Sequence, residues 1–327
     1  MKRLLAALLL LFTTQAFADW GGGLSGDYNH YLLSEMTPGP NVHWAMSESS
    51  GPTIANSGSS GSPYNLTAVN SPTFGSPGAN PAHKTSIIFN GTTQYANVNR
   101  NDTGTGPGDL GGDRTFACWV NRPVSGGGTT GASMAVLKAL TGADTDKIWF
   151  LAWNNSDVVV FVVYNTAGAV YQIATGATVL TRGTWHFIAA TWQSATPTST
   201  VYLDGVNDGS DSATNGTRNS SQQWFEVARL EQASTIYLGG SLQDCSIWGL
   251  NALSPTTIAT LFNKGVGGNV LPWRVEFHVP RYSNPGYLEK VVNRGYLTGL
   301  FRGEVIPQRV FLGFVPFGME VPRGDLR

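Results

Sequence analysis

Short runs rich in β-branched and aromatic residues recur along the chain, separated by clusters of Gly, Ser, Thr, Asn and Asp. They are Ser86 to Phe89, Gln94 to Val98, Thr115 to Val120, Ile148 to Trp153, Val158 to Tyr164, Trp185 to Trp192, Thr200 to Leu203, Thr235 to Leu238 and Asp244 to Trp248. Runs this short, bounded by turn formers and without a 3.6-residue period, predict the strands of a β-sandwich. In Thr115 to Val120, Phe116, Cys118 and Val120 share one face while Ala117 and Trp119 share the other. Both faces are apolar, which marks a central strand covered on two sides. Asp204-Gly205, between apolar runs, supplies residues that tolerate the positive φ of a hairpin turn. Trp149 and Trp153 fall on one face with Leu151, and with Trp185 and Trp192 they read as packing residues. One helix is predicted near the end of the body. Ser254 caps it, Pro255 takes its first position, Ile258, Leu261 and Phe262 form its stripe, and Gly265 stops it.

The ends differ from the middle. Lys2 and Arg3 precede an apolar run from Leu4 to Phe12 and then Ala16-Phe17-Ala18, the pattern of a secretory leader over residues 1–18, too short to span a bilayer. The mature chain is then expected outside the cytoplasm, secreted, periplasmic or on a cell surface, without membrane insertion. Residues 19–40 have linker composition, with Tyr28 and Tyr31 as candidate docking points. The body covers residues 41–267 and an extension covers 268–327. With 40 glycines and only 13% charged residues, the composition fits many tight turns. Residues 19–268 hold 10 Lys and Arg against 16 Asp and Glu, net −6, whereas 269–327 hold 8 against 5, net +3. An acidic body repels phosphate, so nucleic acid is excluded as its partner. The extension carries Trp273, Phe277, Tyr282, Tyr287, Tyr296, Phe301, Phe311, Phe314 and Phe317, too apolar for a disordered tail. It is expected to dock, on the acidic body, on another copy or on an envelope component. Cys118 and Cys245, in an oxidising compartment, either bridge or remain two buried thiols.

Several fragments in fixed order carry a resemblance. They are Trp44 to Gly51 with Asn56-Ser57-Gly58, Ser86 to Gly91 with Gln94-Tyr95, Thr115 to Val120, Trp185 to Trp192, Val201 to Gly205, and Ile236 to Gly240 continuing to Ala252-Leu253-Ser254-Pro255. Over residues 43–266 the chain resembles the laminin-G-like and pentraxin-like domains of the concanavalin A-like lectin/glucanase superfamily. The resemblance implies an all-β fold: a two-sheet antiparallel jelly-roll sandwich with one short C-terminal helix and a C-terminal extension. It also implies a structural calcium ion, held by the side chain of Asp244 and by backbone carbonyls near His43 and near Asn90 and Gly91. Neither Ile188 nor Ala189 is cysteine, so the pentraxin disulfide has no counterpart here, and the pentraxin double-calcium run is absent.

Fold does not give function, since glucanases and alginate lyases share this architecture. A glycosidase needs two carboxylates facing each other across the bond to be broken, and no Glu-x-Asp-x-Glu or Glu-x-Asp-x-x-Glu run occurs. Asp144 with Asp146 reads as a charged loop, and Glu226 with Glu231 would point to opposite faces of a strand. Asp204, Asn207, Asp208 and Asp211 lack the spacing of a calcium loop and read as a pair of turns. His186 could serve a lyase, yet no tyrosine is singled out to pair with it. For a sugar, the useful chemistry is an aromatic face beside amide and acid side chains. Trp224, Tyr95, Asn97 and Asn154 are the candidates for that role. The expectation is a secreted, non-catalytic module that recognises a glycan or cell-surface ligand. The alternatives are a structural or adhesion component assembled through residues 268–327, and a divergent polysaccharide-degrading enzyme.

Overall fold

The computed structural model describes residue 28 and residues 31–79, 85–99, 106–125, 134–140, 147–219, 224–230 and 236–265. By contacts the chain divides into two units, residues 1–268 and 269–327. The leader and the C-terminal extension lie outside the described residues.

In chain order the strands are β1 (Val42–Trp44), β2 (Thr53–Ile54), β3 (Leu66–Val69), β4 (Thr73–Pro77), β5 (Thr85–Asn90) and β6 (Tyr95–Asn99). Next come β7 (Arg114–Asn121), β8 (Met134–Leu140), β9 (Lys147–Trp153), β10 (Val158–Tyr164), β11 (Val170–Val179) and β12 (Trp185–Gln193). The last are β13 (Thr198–Leu203), β14 (Val206–Asp211), β15 (Trp224–Val227), β16 (Arg229–Leu230), β17 (Ile236–Tyr237) and β18 (Gly239–Gly249), followed by helix α1 (Pro255–Gly265). Every run predicted from the sequence coincides with a strand. One eight-stranded sheet has the order β14-β13-β12-β7-β18-β5-β4, with β1 also paired to β18; the other has the order β11-β10-β9-β8-β15-β6-β3-β2. All pairings are antiparallel, and the two sheets form a jelly-roll sandwich. We refer to them as the β7 sheet and the β15 sheet.

The apolar alternation decides what each sheet face meets. Phe116, Cys118 and Val120 join the cluster between the sheets with Trp44, Trp149, Phe161 and Phe225. Phe116 and Trp149 are 3.9 Å apart by ring centroid, and Trp44 meets Phe225 edge-on at 5.9 Å. Three of the buried indoles spend their N–H groups on backbone: Trp44 on Tyr64 O at 2.7 Å, Trp149 on Gly108 O at 2.7 Å and Trp192 on Leu110 O at 3.1 Å. At these three positions the indole fills the core without leaving its donor stranded.

Ala117 and Trp119, on the other face of β7, belong to a second cluster with Phe187, Trp248, Ile258 and Leu261. That cluster forms because α1 lies on the outside of the β7 sheet, as does the segment around a π-helical turn at Tyr31–Glu35. Tyr28 and Leu32 are buried in it, and Lys264 Nζ sits 5.1 Å from the Tyr31 ring centroid. The helix start follows its sequence signal: Ser254 Oγ accepts the Thr257 N–H at 3.1 Å. Asp204 and Gly205 have φ of 49° and 80° in the β13–β14 hairpin, and Gly205 lies so close to α1 that a Cβ there would be 2.9 Å from Phe262 Cβ. Cys118 and Cys245 form a disulfide between the neighbouring strands β7 and β18.

Candidate functional site

The outer face of the β15 sheet follows from register. On β6, Ala96 is in the core and Val98 packs against it, so Tyr95 and Asn97 face outward. On β15, Phe225 and Val227 are in the core, which turns Glu226 outward. Antiparallel pairing then sets Thr67 of β3, Asn97 of β6 and Glu226 of β15 in one row across the strands, with Lys138 of β8 at the next register position. Tyr95 stands one step along, opposite Val69.

Ala228 shapes the rest of the patch. It adopts φ of 64° between β15 and β16 and accepts the Leu238 N–H at 2.9 Å. That left-handed turn redirects the chain, so that Arg229 lies over the Tyr95 ring with its guanidinium carbon 3.8 Å from the centroid. The same guanidinium holds Glu226, through Nε to Oε2 at 3.3 Å and through Nη2 to Oε1. Arg229 also pairs in the ladder with Tyr237, whose ring is 6.2 Å from that of Tyr95 at 44°. Glu226 is only 1% exposed, whereas Tyr95, Asn97 and Tyr237 are half-buried and Thr67 is exposed. The result is a neutralised ion pair whose guanidinium covers one face of the Tyr95 ring, beside a second phenol ring, an amide and a hydroxyl. Such a patch offers apolar ring faces beside directed hydrogen-bonding groups, with the acid and base already engaged with each other.

The sequence candidates fall out unevenly. Tyr95 and Asn97 share this face. Trp224 enters the same ladder, opposite Asn99 and Leu140 and two positions before Glu226; its side chain lies outside the described residues. Asn154 is elsewhere, in the β9–β10 turn, where its Oδ1 accepts the N–H groups of Ser156 at 2.9 Å and Val158 at 3.3 Å. It shapes a turn and does not join the patch. Arg229 and Tyr237 were missed, and the turn at Ala228 that brings them in has no glycine to announce it.

The calcium set does not converge. Asp244 and His43 meet, with Oδ1 3.8 Å from Nε2. Asn90 pairs with Gly239, five positions from Asp244 along β18, about 17 Å away at strand rise. The Asn90 side chain instead accepts the N–H groups of Thr92, Thr93 and Gln94, and the His43 carbonyl accepts the Ser57 N–H at 2.9 Å. Around Asp244 the neighbours are the His43 ring, Ser246, whose Oγ is 2.8 Å from His43 Nδ1, and Tyr28. Burial, and then the charge of Asp244, raise the Tyr28 hydroxyl well above its usual pKa. Calcium takes six to eight oxygens, and Asn90 does not stand beside Asp244 to contribute its own. Although Ser246, His43 and Asp244 are the residue types of a hydrolase triad, all three are buried, out of reach of a substrate.

The other acidic and basic candidates are structural. His186 uses both ring nitrogens, accepting the Thr181 N–H at Nε2 (3.0 Å) and contacting Asp204 Oδ2 through Nδ1 (2.8 Å). Asp208 and Asp211 are on β14 and accept N–H groups of β11, from Thr178 at 3.1 Å and Ile173 at 3.0 Å. Asp144, Asp146 and Glu231 lie outside the described residues. Among the described residues, no group of three or more His, Cys, Asp or Glu side chains gathers to hold a metal, and no helix is long and apolar enough to cross a membrane.

A jelly-roll sandwich with a polar and aromatic patch on an outer sheet face is the architecture of the lectin-like class. The chain belongs to the concanavalin A-like lectin/glucanases superfamily, its residues 90–259 matching the Laminin_G_3 family. Among solved structures it is similar to the binding domain of Paraclostridial Mosquitocidal Protein 1, at 14% identity and a TM-score of 0.52, over 68% of this chain and 52% of that one. It is also similar to the botulinum neurotoxin serotype D ligand binding domain in complex with N-acetylneuraminic acid, at 10% identity and a TM-score of 0.51, over 71% and 52%. A SAP-like pentraxin from Limulus polyphemus matches at 13% identity and a TM-score of 0.36, over 46% and 69%. The chain spans about half the length of the two toxin structures, and at these identities the likeness is one of fold. Comparison with curated proteins gives no match.

Proposed function

We propose that this protein is a secreted, non-catalytic recognition module that binds a glycan on the outer face of the β15 sheet. The observation that carries the reading is the convergence of Tyr95, Asn97 and Tyr237 around the locked Glu226–Arg229 pair. A pyranose would lay its C–H face on a phenol ring and exchange hydroxyl hydrogen bonds with Asn97 and Thr67. Glu226 is buried and engaged by Arg229, which favours binding over catalysis, because a catalytic carboxylate must reach the bond it cleaves. Two proteins of similar fold are binding domains of toxins, and that use of the fold agrees with the reading.

The test is a glycan and polysaccharide array with the full chain, in calcium and in chelator, alongside Tyr95→Ala and Asn97→Ala. Binding should survive the chelator, since among the described residues no group of three or more His, Cys, Asp or Glu side chains gathers at the patch to hold a metal. It should weaken about tenfold or more in each variant, the scale of one lost ring or hydrogen-bond contact. Absence of glycan binding, with concentration-dependent assembly of the full chain, would instead favour the structural or adhesion role, for which the aromatic, basic composition of residues 269–327 is the supporting observation.

A further inference from the structure

Both ends of the central strand β7 carry an arginine, and the two are compensated differently. At its start, Arg114 lies in the field of Asp109 and Asp113, with Arg218 nearby, two acids for two bases. Just past its end, Arg122 and Arg182 share one acid, Asp157. Arg122 contacts Asp157 Oδ1 through Nη1, and Arg182 Nε donates to Asp157 Oδ2 at 2.9 Å. Arg122, Arg182 and Asp157 together therefore carry one net positive charge, in a body whose net charge is −6 over residues 19–268; the next acid at this end, Asp204, is engaged by His186, whose Nε2 accepts the Thr181 N–H.

Two turns hold the cluster in place. The β9–β10 turn presents Asp157, at φ of 61°, and is itself shaped by Asn154. The β11–β12 turn presents Arg182 and is tied back through the Gly183 N–H to the Arg122 carbonyl at 2.6 Å. The Arg122 guanidinium is set against Trp153, 5.9 Å from the ring centroid. Arg122 is 7% exposed, and its Nε has no hydrogen-bond partner among the described residues. Burial, and then the charge of Arg182, lower its pKa to about 10, still charged at neutral pH. Arg182 is 38% exposed, and with Nε committed it keeps its terminal NH2 groups for another acceptor.

We propose that Arg122, Arg182 and the Asn154–Asp157 turn form a second binding site, separate from the Tyr95 patch, for an oxyanion carried by an acidic ligand, the carboxylate or sulfate group of a charged sugar. Guanidinium groups match both oxyanions in fork geometry. A bound anion would complete the charge balance that Asp157 alone leaves short. Turns at one end of a sandwich are also where a ligand can reach without disturbing either sheet.

The experiment is calorimetric titration of the full chain with sodium sulfate, sodium glucuronate and glucose, at ionic strength held constant with chloride. Wild type should bind at least one of the two anions saturably and should not bind glucose at this site. Binding of sulfate alone assigns a sulfate ester, and binding of glucuronate alone assigns a carboxylate. Arg182→Ala should weaken the anion about tenfold, the worth of one charge-assisted hydrogen bond, with its melting midpoint in chloride unchanged. Should Arg182→Ala lower that midpoint, Arg182→Gln, which keeps the stem and removes the charge, carries the comparison. Saturable binding of neither anion, or equal binding by wild type and the charge-removed variant, overturns the proposal. Because the readout uses neither Tyr95 nor a neutral glycan, failure here leaves the glycan reading standing, and failure on the array leaves this one.

Discussion

At the patch, Glu226 and Arg229 decide whether the rings above them are held. Glu226 is almost fully buried and Arg229 is 14% exposed, so removing the base leaves a carboxylate in a poorly hydrated place. Arg229→Ala should therefore cost about 3 kcal/mol, in the range for breaking a buried pair by deleting one partner. The double variant Glu226→Gln/Arg229→Ala should recover part of that loss, because the stranded charge is gone. Urea denaturation of the wild type and both variants checks this, and a double variant no more stable than Arg229→Ala would show that the charge is not what costs. Single residues also mark the limit of sequence reading. That Tyr95 and Asn97 share a face was legible, because alternate positions of a strand do. Arg229 over Tyr95 was not, since it depends on an alanine in the left-handed region and on strands more than a hundred positions apart. Asp244 and Asn90 looked like partners by resemblance. Only register, which short apolar runs leave undetermined, pairs Asn90 with Gly239, five positions from Asp244.

Among the elements, β7 was the most legible, because its residues are apolar on both faces and both faces are covered. The strands without a sequence signal are those that violate the pattern. β8 reads Met-Ala-Val-Leu-Lys-Ala-Leu, largely helix-forming residues, and is a strand because it lies between β9 and β15. β11 and β14 are sheet edges, and β14 has a single apolar residue, Val206. Their exposed backbone is managed by Asp208 and Asp211, which accept β11 N–H groups across the seam. That carboxylate cover blocks pairing with another chain and explains an acidic cluster that reads from sequence as two turns. Tertiary closure of β7 on β18 is fixed covalently by Cys118 and Cys245, 127 positions apart. In the chain-entropy picture a loop that long makes the bridge worth about 5 kcal/mol through the unfolded chain. Cys118→Ala/Cys245→Ala should lower the unfolding free energy by that amount at pH 7 while leaving the far-ultraviolet circular dichroism unchanged. An unfolding midpoint insensitive to the double substitution would mean that the bridge contributes nothing.

Across the whole described body, the two sheets have different outer faces. The β7 sheet is closed off by α1 and the segment from Tyr28 to Met36, whose contact through Tyr31 and Lys264 brings both ends of the body to one side. The patch of Tyr95, Asn97 and Tyr237 is on the outer face of the other sheet, so the entire thickness of the sandwich separates it from those ends. A module built this way can be attached to other material through its ends and still offer its patch, which is the geometry a tethered recognition domain needs. The arrangement can be tested on the full chain with bulky thiol-reactive polymer, because the two native cysteines are bridged and do not react. Polymer attached at Asn263→Cys, on the exposed side of α1, should leave glycan binding unchanged. The same polymer at Thr67→Cys, in the row beside Asn97, should abolish it. Blocking by the label on α1, with no effect of the label at Thr67, would place the ligand on the β7-sheet side and remove the patch from consideration, whatever its chemistry.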